Sequence, residues 1–294
     1  MLIARLIADT AQLETRLAAA SDALATRGMP IAVARLLEHG GNVLQMSLPT
    51  GDADVLREAI ERHLQPTAAL IADHEPIVPQ LFVSDMDSTI IEQECIDELA
   101  DFAGLKDTIA EITDRAMRGE IAFEEALRER VAMLAGLEES VIATCLAENI
   151  TPNPGASVLI ATLKARGCKT VLVTGGFHHF ADAIGDRLGF EQVVGNRLAV
   201  RDGMLTGELS GSIVDSATKR HVLKNEMEAL GGGAVSLAAG DGANDVPMLE
   251  AADYGVAFYA KPAARAAANC WIDDGSLTDI LKLLNISEHE WVAK

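Results

Sequence analysis

From residue 80 onward the chain alternates short apolar runs with longer amphipathic segments, and no other feature constrains its fold as strongly. The runs are Leu81–Ser84, Thr170–Thr174, Gln192–Val194, Ser236–Ala239 and Gly255–Phe258. Such runs need cover on both sides, and the helical segments between them supply it, so an α/β fold with a parallel sheet is expected. Two stretches interrupt the rhythm. Between Ile91 and Asn149 only helical patterns occur, so residues 91–150 are expected to form a helical cap inserted into the core. Arg197–Val200 and Met204–Leu209 flank Asp202-Gly203, a turn pair that suits a small appended hairpin.

The first 75 residues read as a separate, small α+β unit. Leu2–Ala8 is strand-like, and Ala11–Thr26 is helical, with Leu13, Leu17, Ala20 and Leu24 at helix spacing. Ile31–Leu37 and Val43–Leu48 suit a hairpin across His39-Gly40-Gly41-Asn42, and Asp54–Leu64 is a second amphipathic helix. Pro66–Pro79 carries three prolines and little periodicity and reads as a linker. Domains at 1–75 and 76–294 are therefore expected, the second carrying the cap.

Hydrophobic residues make up 49% of the 294, ample for a core and too many for a disordered chain. The net charge of −20 would repel phosphate backbones and anionic lipid, so neither a nucleic-acid nor a membrane-surface partner is expected. An acidic protein that handles phosphate needs a metal or local cations at its site. No run approaches the roughly 20 apolar residues of a membrane span, and the opening MLIARLIADTAQLETR is too soon charged for a secretory signal. Cys95, Cys145, Cys168 and Cys270 lie far apart with no metal-ligand spacing, which suits reduced thiols in a cytoplasmic protein.

Four clusters carry chemistry. Leu81–Ser84 runs into Asp85-Met86-Asp87-Ser88-Thr89, where two carboxylates at i and i+2 point to one side if the chain stays extended. Either a cation binds between them or one holds a proton; alone, Asp-x-Asp fits a capped turn about as well. Thr170–Thr174 runs into Gly175-Gly176-Phe177 ahead of a helix at Phe180–Leu188, and a hydroxyl with free backbone amides at a helix start can cradle an anion. His178 and His179, beside that cluster, are assigned to packing or surface. Lys219 begins a helix, where a cation opposes the dipole and hints at a nearby anion. Gly240-Asp241-Gly242-Ala243-Asn244-Asp245 follows a buried run, and oxygen ligands at that density match a hard cation such as Mg²⁺.

Taken in order, Asp85-x-Asp87-Ser88-Thr89, Thr174-Gly175-Gly176, Lys219 and Gly240-Asp241-Gly242-x-Asn244-Asp245 resemble the four signature motifs of the haloacid dehalogenase-like phosphatases. The likeness extends over nearly all of residues 80–285 and is greatest to the branch of that family that acts on phosphoserine. It implies a Rossmann-like doubly wound core with a helical cap, Mg²⁺ as cofactor, and hydrolysis of O-phospho-L-serine through an aspartyl-phosphate. By the same resemblance, Asp85 is nucleophile and metal ligand. Asp87 is the general acid/base and lends the metal its backbone carbonyl. Asp241 ligates Mg²⁺ and Asp245 supports it from behind. Thr174, Gly175 and Lys219 hold the transferring phosphoryl, with Asn244 within reach. Thr174 departs from the commoner Ser but keeps the hydroxyl.

In the cap, Phe123, Ala126, Leu127, Val131 and Leu134 form an apolar stripe, and at about 100° per residue Arg130 falls in its middle while Arg128 faces away. An arginine there calls for an anionic partner, in a structural ion pair or in a ligand. Glu94 flanks the stripe of Ile91, Cys95, Leu99 and Phe102 and on its own fits a solvated face. The resemblance assigns Arg130 to the substrate carboxylate and Glu94 to its ammonium, with Met117 and Phe123 lining the pocket. The N-terminal unit resembles ACT-like amino-acid-binding modules by element order alone, which implies a serine sensor, a homodimer contact or a scaffold. The competing functions are a phosphatase or phosphotransferase for another small phosphometabolite, and an amino-acid-sensing regulator with a vestigial core.

Overall fold

The computed structural model describes residues 1–9, 11–37, 42–117 and 120–292. Its strands in chain order are β1 (Leu2–Ile7), β2 (Val33–Leu36), β3 (Val43–Leu48), β4 (Ala68–Ala72), β5 (Leu81–Ser84), β6 (Lys169–Phe177), β7 (Gln192–Arg201), β8 (Met204–Ser210), β9 (Ser236–Gly240), β10 (Tyr254–Phe258) and β11 (Cys270–Ile272). The helices are α1 (Leu13–Thr26), α2 (Ala53–Ala59), α3 (Cys95–Phe102), α4 (Lys106–Met117), α5 (Phe123–Met133), α6 (Ser140–Glu148), α7 (Ala156–Ala165), α8 (His178–Leu188), α9 (Ser216–Leu230), α10 (Val246–Leu249), α11 (Pro262–Ala267) and α12 (Asp279–Leu283).

The strands form one sheet in the order β2-β3-β1-β4-β11-β10-β9-β5-β6-β7-β8. From β11 to β7 the neighbours are parallel, as the apolar runs require. Both outer parts are antiparallel, so the sheet is mixed rather than wholly parallel. Along β5, Leu81 and Val83 face one core layer and Phe82 the other, and all three are fully buried. The first layer is closed by α1, α2, α9, α10 and α11, the second by α7, α8, α12 and the cap helices α3 to α6.

Several expectations are refined. Gln192–Val194 and Arg197–Val200 belong to one long strand, β7, which turns into β8 through Asp202 (φ 53°) and Gly203 (φ 75°). Two consecutive left-handed residues make the type I′ hairpin that Asp-Gly favours. His39, Gly40 and Gly41 of the expected first hairpin turn lie outside the described residues. Pro66–Pro79 is not the plain linker its prolines suggest: Ala68–Ala72 is β4, buried at every position, with Pro66, Pro76 and Pro79 all outside it.

β4 also shows how the N-terminal strands meet the rest. In sequence they run β1-α1-β2-β3-α2-β4, and in space β2-β3-β1-β4, a ferredoxin-like arrangement. β4 then pairs antiparallel with β11 (Ala69 opposite Trp271), so hydrogen bonding continues without a gap into the parallel strands. Trp271 is completely buried at this seam, with the guanidinium carbons of Arg57 and Arg265 4.9 and 4.2 Å from its ring centroid. Arg57 donates to the carbonyls of Arg265 and Ala268, tying α2 to α11. Replacing this ring leaves a large cavity under two cations. Trp271→Ala is expected to cost about 3–5 kcal/mol in urea unfolding, with circular dichroism and the remaining tryptophan fluorescence still changing together.

Candidate active site

β5, β6 and β9 are adjacent and parallel, so their carboxyl ends open onto one edge of the sheet. Asp85 leaves β5 there, Thr174 lies toward the end of β6, and Asp241 follows β9. The helix α9 brings Lys219 beneath them; its start is capped by Asp215, which accepts from the Thr218 amide at 2.8 Å. Lys219 is 1% exposed and its Nζ stands 2.7 Å from both Asp85 Oδ2 and Asp245 Oδ1. The second oxygen of Asp245 accepts from the amides of Asp241 (3.2 Å) and Gly242 (3.1 Å). A side chain at Gly240 would collide with Asp245, so glycine is required where the strand turns past it.

Oxygen atoms of Asp85, Asp241 and Asp245 lie within 4.8 Å of one another. Burial, reinforced by Asp245, pushes the Asp85 carboxyl well up against the pull of Lys219. Burial likewise raises Asp241 to about 6, opposed by Lys261, whose Nζ stands 3.4 Å from Asp241 Oδ2. For Lys219 burial works against the charge, but Asp245 and Asp85 outweigh it and the pKa rises. Three buried carboxylates thus share one buried ammonium and one at the rim. That all-oxygen, under-neutralised set fits Mg²⁺, which accepts a few carboxylates together with water and phosphate. Asp85 and Asp241, expected from sequence as ligands, are both in the set. The carboxyl of Asp87 is not: its Oδ1 accepts the Cys95 amide at 3.1 Å. Burial, then Glu94, pushes Asp87 up to about 7.

Opposite the carboxylates, Thr174 Oγ1 accepts the Gly176 amide at 2.8 Å. A Cβ at Gly176 would stand 2.6 Å from Asp87 Oδ2, so this glycine lets β6 close on the Asp87 carboxyl. Asn244 folds over Gly242 beside Asp245. From the cap, Phe123 reaches over Gly175, its ring tip 3.5 Å from where a methyl group on that glycine would lie. Glu94 accepts from the Ser88 hydroxyl at 2.9 Å, and Ser88 itself is left-handed at φ 53°. Arg130 is half-buried, its desolvated guanidinium lowered in pKa despite Asp97, Glu94 and Asp87 facing it. Among the described residues no carboxylate lies within ion-pair distance of it; its contacts are Ala126 O (3.3 Å) and Thr113 Oγ1 (3.5 Å). The side chain of Met117 lies outside the described residues.

The sequence profile of the haloacid dehalogenase-like hydrolases matches residues 82–250, more than half the chain. The chain belongs to this family. Among relatives of this hydrolase, the phosphoserine phosphatase of Lactococcus lactis is 47% identical over 210 residues, 70% of this chain and 95% of that protein. A haloacid dehalogenase-family hydrolase from Salmonella enterica serovar Typhi superposes with a TM-score of 0.81 at 28% identity, covering 96% of this chain and 98% of that one. The structure of a phospho-aspartyl intermediate analogue of phosphoserine phosphatase gives 0.64 at 36% identity, covering 69% of this hydrolase and 98% of that chain.

Two neighbours of the site escaped the sequence. Asn196, 2% exposed in β7, donates to Gly175 O (2.7 Å) and accepts from the Val214 amide (2.8 Å), tying the Thr174 loop to the segment that leads into α9. Lys261 lies 20 residues after Asp241 and meets it only in space, its amide also donating to Asp241 O at 2.8 Å. His178, the first residue of α8, accepts the Gly195 amide at 3.2 Å and contacts Asp182 at 2.7 Å, a packing role. Since Asp241 must be ionised to hold a cation, Mg²⁺ affinity is expected to fall as pH drops through about 6. By calorimetry the Mg²⁺ dissociation constant at pH 5 should be about tenfold that at pH 7, with proton release on binding.

Proposed function

We propose that this hydrolase cleaves O-phospho-L-serine to L-serine and phosphate, with Arg130 and Glu94 reading the two charges of the amino-acid head. The observation that carries the proposal is Arg130: a desolvated guanidinium in the field of Asp97, Glu94 and Asp87 that has, among the described residues, no carboxylate within ion-pair distance. A ligand carboxylate satisfies it, and the ligand ammonium satisfies Glu94. Phosphoglycolate offers no ammonium, and a nucleotide offers neither group.

In this proposal Asp85 attacks phosphorus, and the serine oxygen leaves with the bonding pair and takes a proton from Asp87. A carboxyl raised to about 7 still carries that proton in much of the population near neutrality. The deprotonated Asp87 then takes a proton from the water that attacks phospho-Asp85, releasing phosphate and restoring both carboxyls. Lys219 holds Asp85 in place and sets positive charge beside the transferring group, while Thr174, Gly175 and Asn244 receive its oxygens. Asp85, Asp241 and the Asp87 carbonyl, backed by Asp245, would hold Mg²⁺, which would supply the charge that lets a dianionic phosphate sit among acids. Phe123, over Gly175, closes the phosphoryl site against water.

The ferredoxin-like order of residues 1–75 supports reading them as an ACT-like unit, and the exposed edge strand β2 supports a homodimer joined there. The four cysteines, free and buried, support a reducing, cytoplasmic setting.

A phosphate-release screen tests the substrate: phosphoserine should exceed phosphothreonine, phosphoglycolate and nucleotides in kcat/KM, and a different best substrate would replace the proposal. Arg130→Ala should lower kcat/KM for phosphoserine about 100-fold, the loss of a charge-assisted pair, while p-nitrophenyl phosphate changes by no more than about threefold. Asp87→Asn should keep Mg²⁺ affinity in calorimetry yet lose turnover, because its carboxyl lies outside the metal-binding set.

A further inference from the structure

The β7–β8 hairpin ends the sheet and meets the cap. There β8 lies against α5 and the turn that follows it. Gly136 donates to Leu205 O (2.8 Å), Leu205 to Leu137 O (2.8 Å) and Glu139 to Gly203 O (2.9 Å), with Glu138 and Met204 paired in a bridge. The closest approach is at Gly207, which is left-handed at φ 80°. A Cβ there would stand 2.8 Å from Ala135 Cβ and 3.0 Å from Ala132 O. Ala132 and Arg130 are two residues apart on α5, so they lie about 200° apart around the helix. The hairpin therefore backs the face of α5 opposite the one that carries Arg130.

We propose that this hairpin is a specificity-determining strut: seated through Gly207, it fixes α5, and so the Arg130 guanidinium, over the core throughout turnover. Gly207 is a positioning residue for carboxylate recognition and touches no substrate. The inference rests on the phosphoserine reading, since it is the substrate carboxylate that Arg130 is held to meet.

Two experiments test it. In the unmodified protein, kcat/KM for phosphoserine is first compared with that for O-phosphoethanolamine, which keeps the ammonium and loses the carboxylate. If phosphoserine is not preferred, the substrate reading fails before the strut is tested. If it is preferred, Gly207→Ala should raise KM for phosphoserine at least about tenfold, with kcat, Mg²⁺ affinity and phosphoethanolamine kinetics within about twofold. Undiminished preference in the folded variant would overturn the proposal. Because a left-handed alanine strains the turn, a second variant keeps the test independent of folding. Glu138 and Met204 face each other across the bridge, within disulfide reach, and the natural cysteines are all buried. Oxidised Glu138→Cys/Met204→Cys protein should turn over phosphoserine within about twofold of its reduced form. Loss of turnover on oxidation, restored by reductant, would show that cap and hairpin must part and would sink the strut.

Discussion

Everything at the candidate site is organised around one buried ammonium. Lys219 bridges Asp85 and Asp245 at 2.7 Å each, so it joins the end of β5 to the loop after β9 through a helix from a third part of the chain. Buried charges of this kind are held because each has a partner, and removing one partner exposes the desolvation cost of the others. Asp245 is fully committed: ammonium on one oxygen, two backbone amides on the other. Asp85 has Lys219 on one oxygen and the Met86 amide on the other, whereas the Asp241 carboxyl, among the described residues, meets only the rim ammonium of Lys261 at 3.4 Å, and burial raises the pKa of both carboxyls. A protein with a net charge of −20 thereby concentrates positive demand at one place and can receive a phosphate dianion together with its cation.

The cap completes what the core begins. Phe123 and Arg130 both come from α5, one over Gly175 and the other within the field of Asp97, Glu94 and Asp87, so in the proposed reaction a single helix serves both the phosphoryl and the amino-acid end of the substrate. Glu94 is in turn fixed by Ser88, which immediately follows Asp87. On the proposed reading, the acid and the group that reads the ammonium are thus held by adjacent residues.

What could be read in advance was whatever is local. Strand ends that run into Asp85, Thr174 and Asp241 are contiguous in sequence, and Arg130 betrays itself by its angle within an apolar stripe. The turn at Asp202-Gly203 declares itself by residue type. Features made by long-range contact were hidden. Asn196 is one polar residue in a strand until Gly175 and Val214 are placed beside it. Lys261 looks like any surface lysine until β10 carries it back to Asp241. β4 was masked by flanking prolines, and β11, only three residues long, carries too little pattern to be separated from a loop.

The antiparallel seam between β4 and β11 has a consequence for how this polypeptide could be shortened. Parallel strands from β11 to β7 have no free margin on the N-terminal side, because β4 occupies it. Cutting the chain just ahead of Gln80 would strip that neighbour away and leave Asn269 O, which accepts the Ile71 amide, and the Asp273 amide, which donates to Thr67 O, without partners, while Ile272 O keeps the Tyr259 amide on the β10 side. Such a bared margin invites strands from other molecules, so the phosphatase portion alone, catalytically complete on paper, would be prone to self-association in solution.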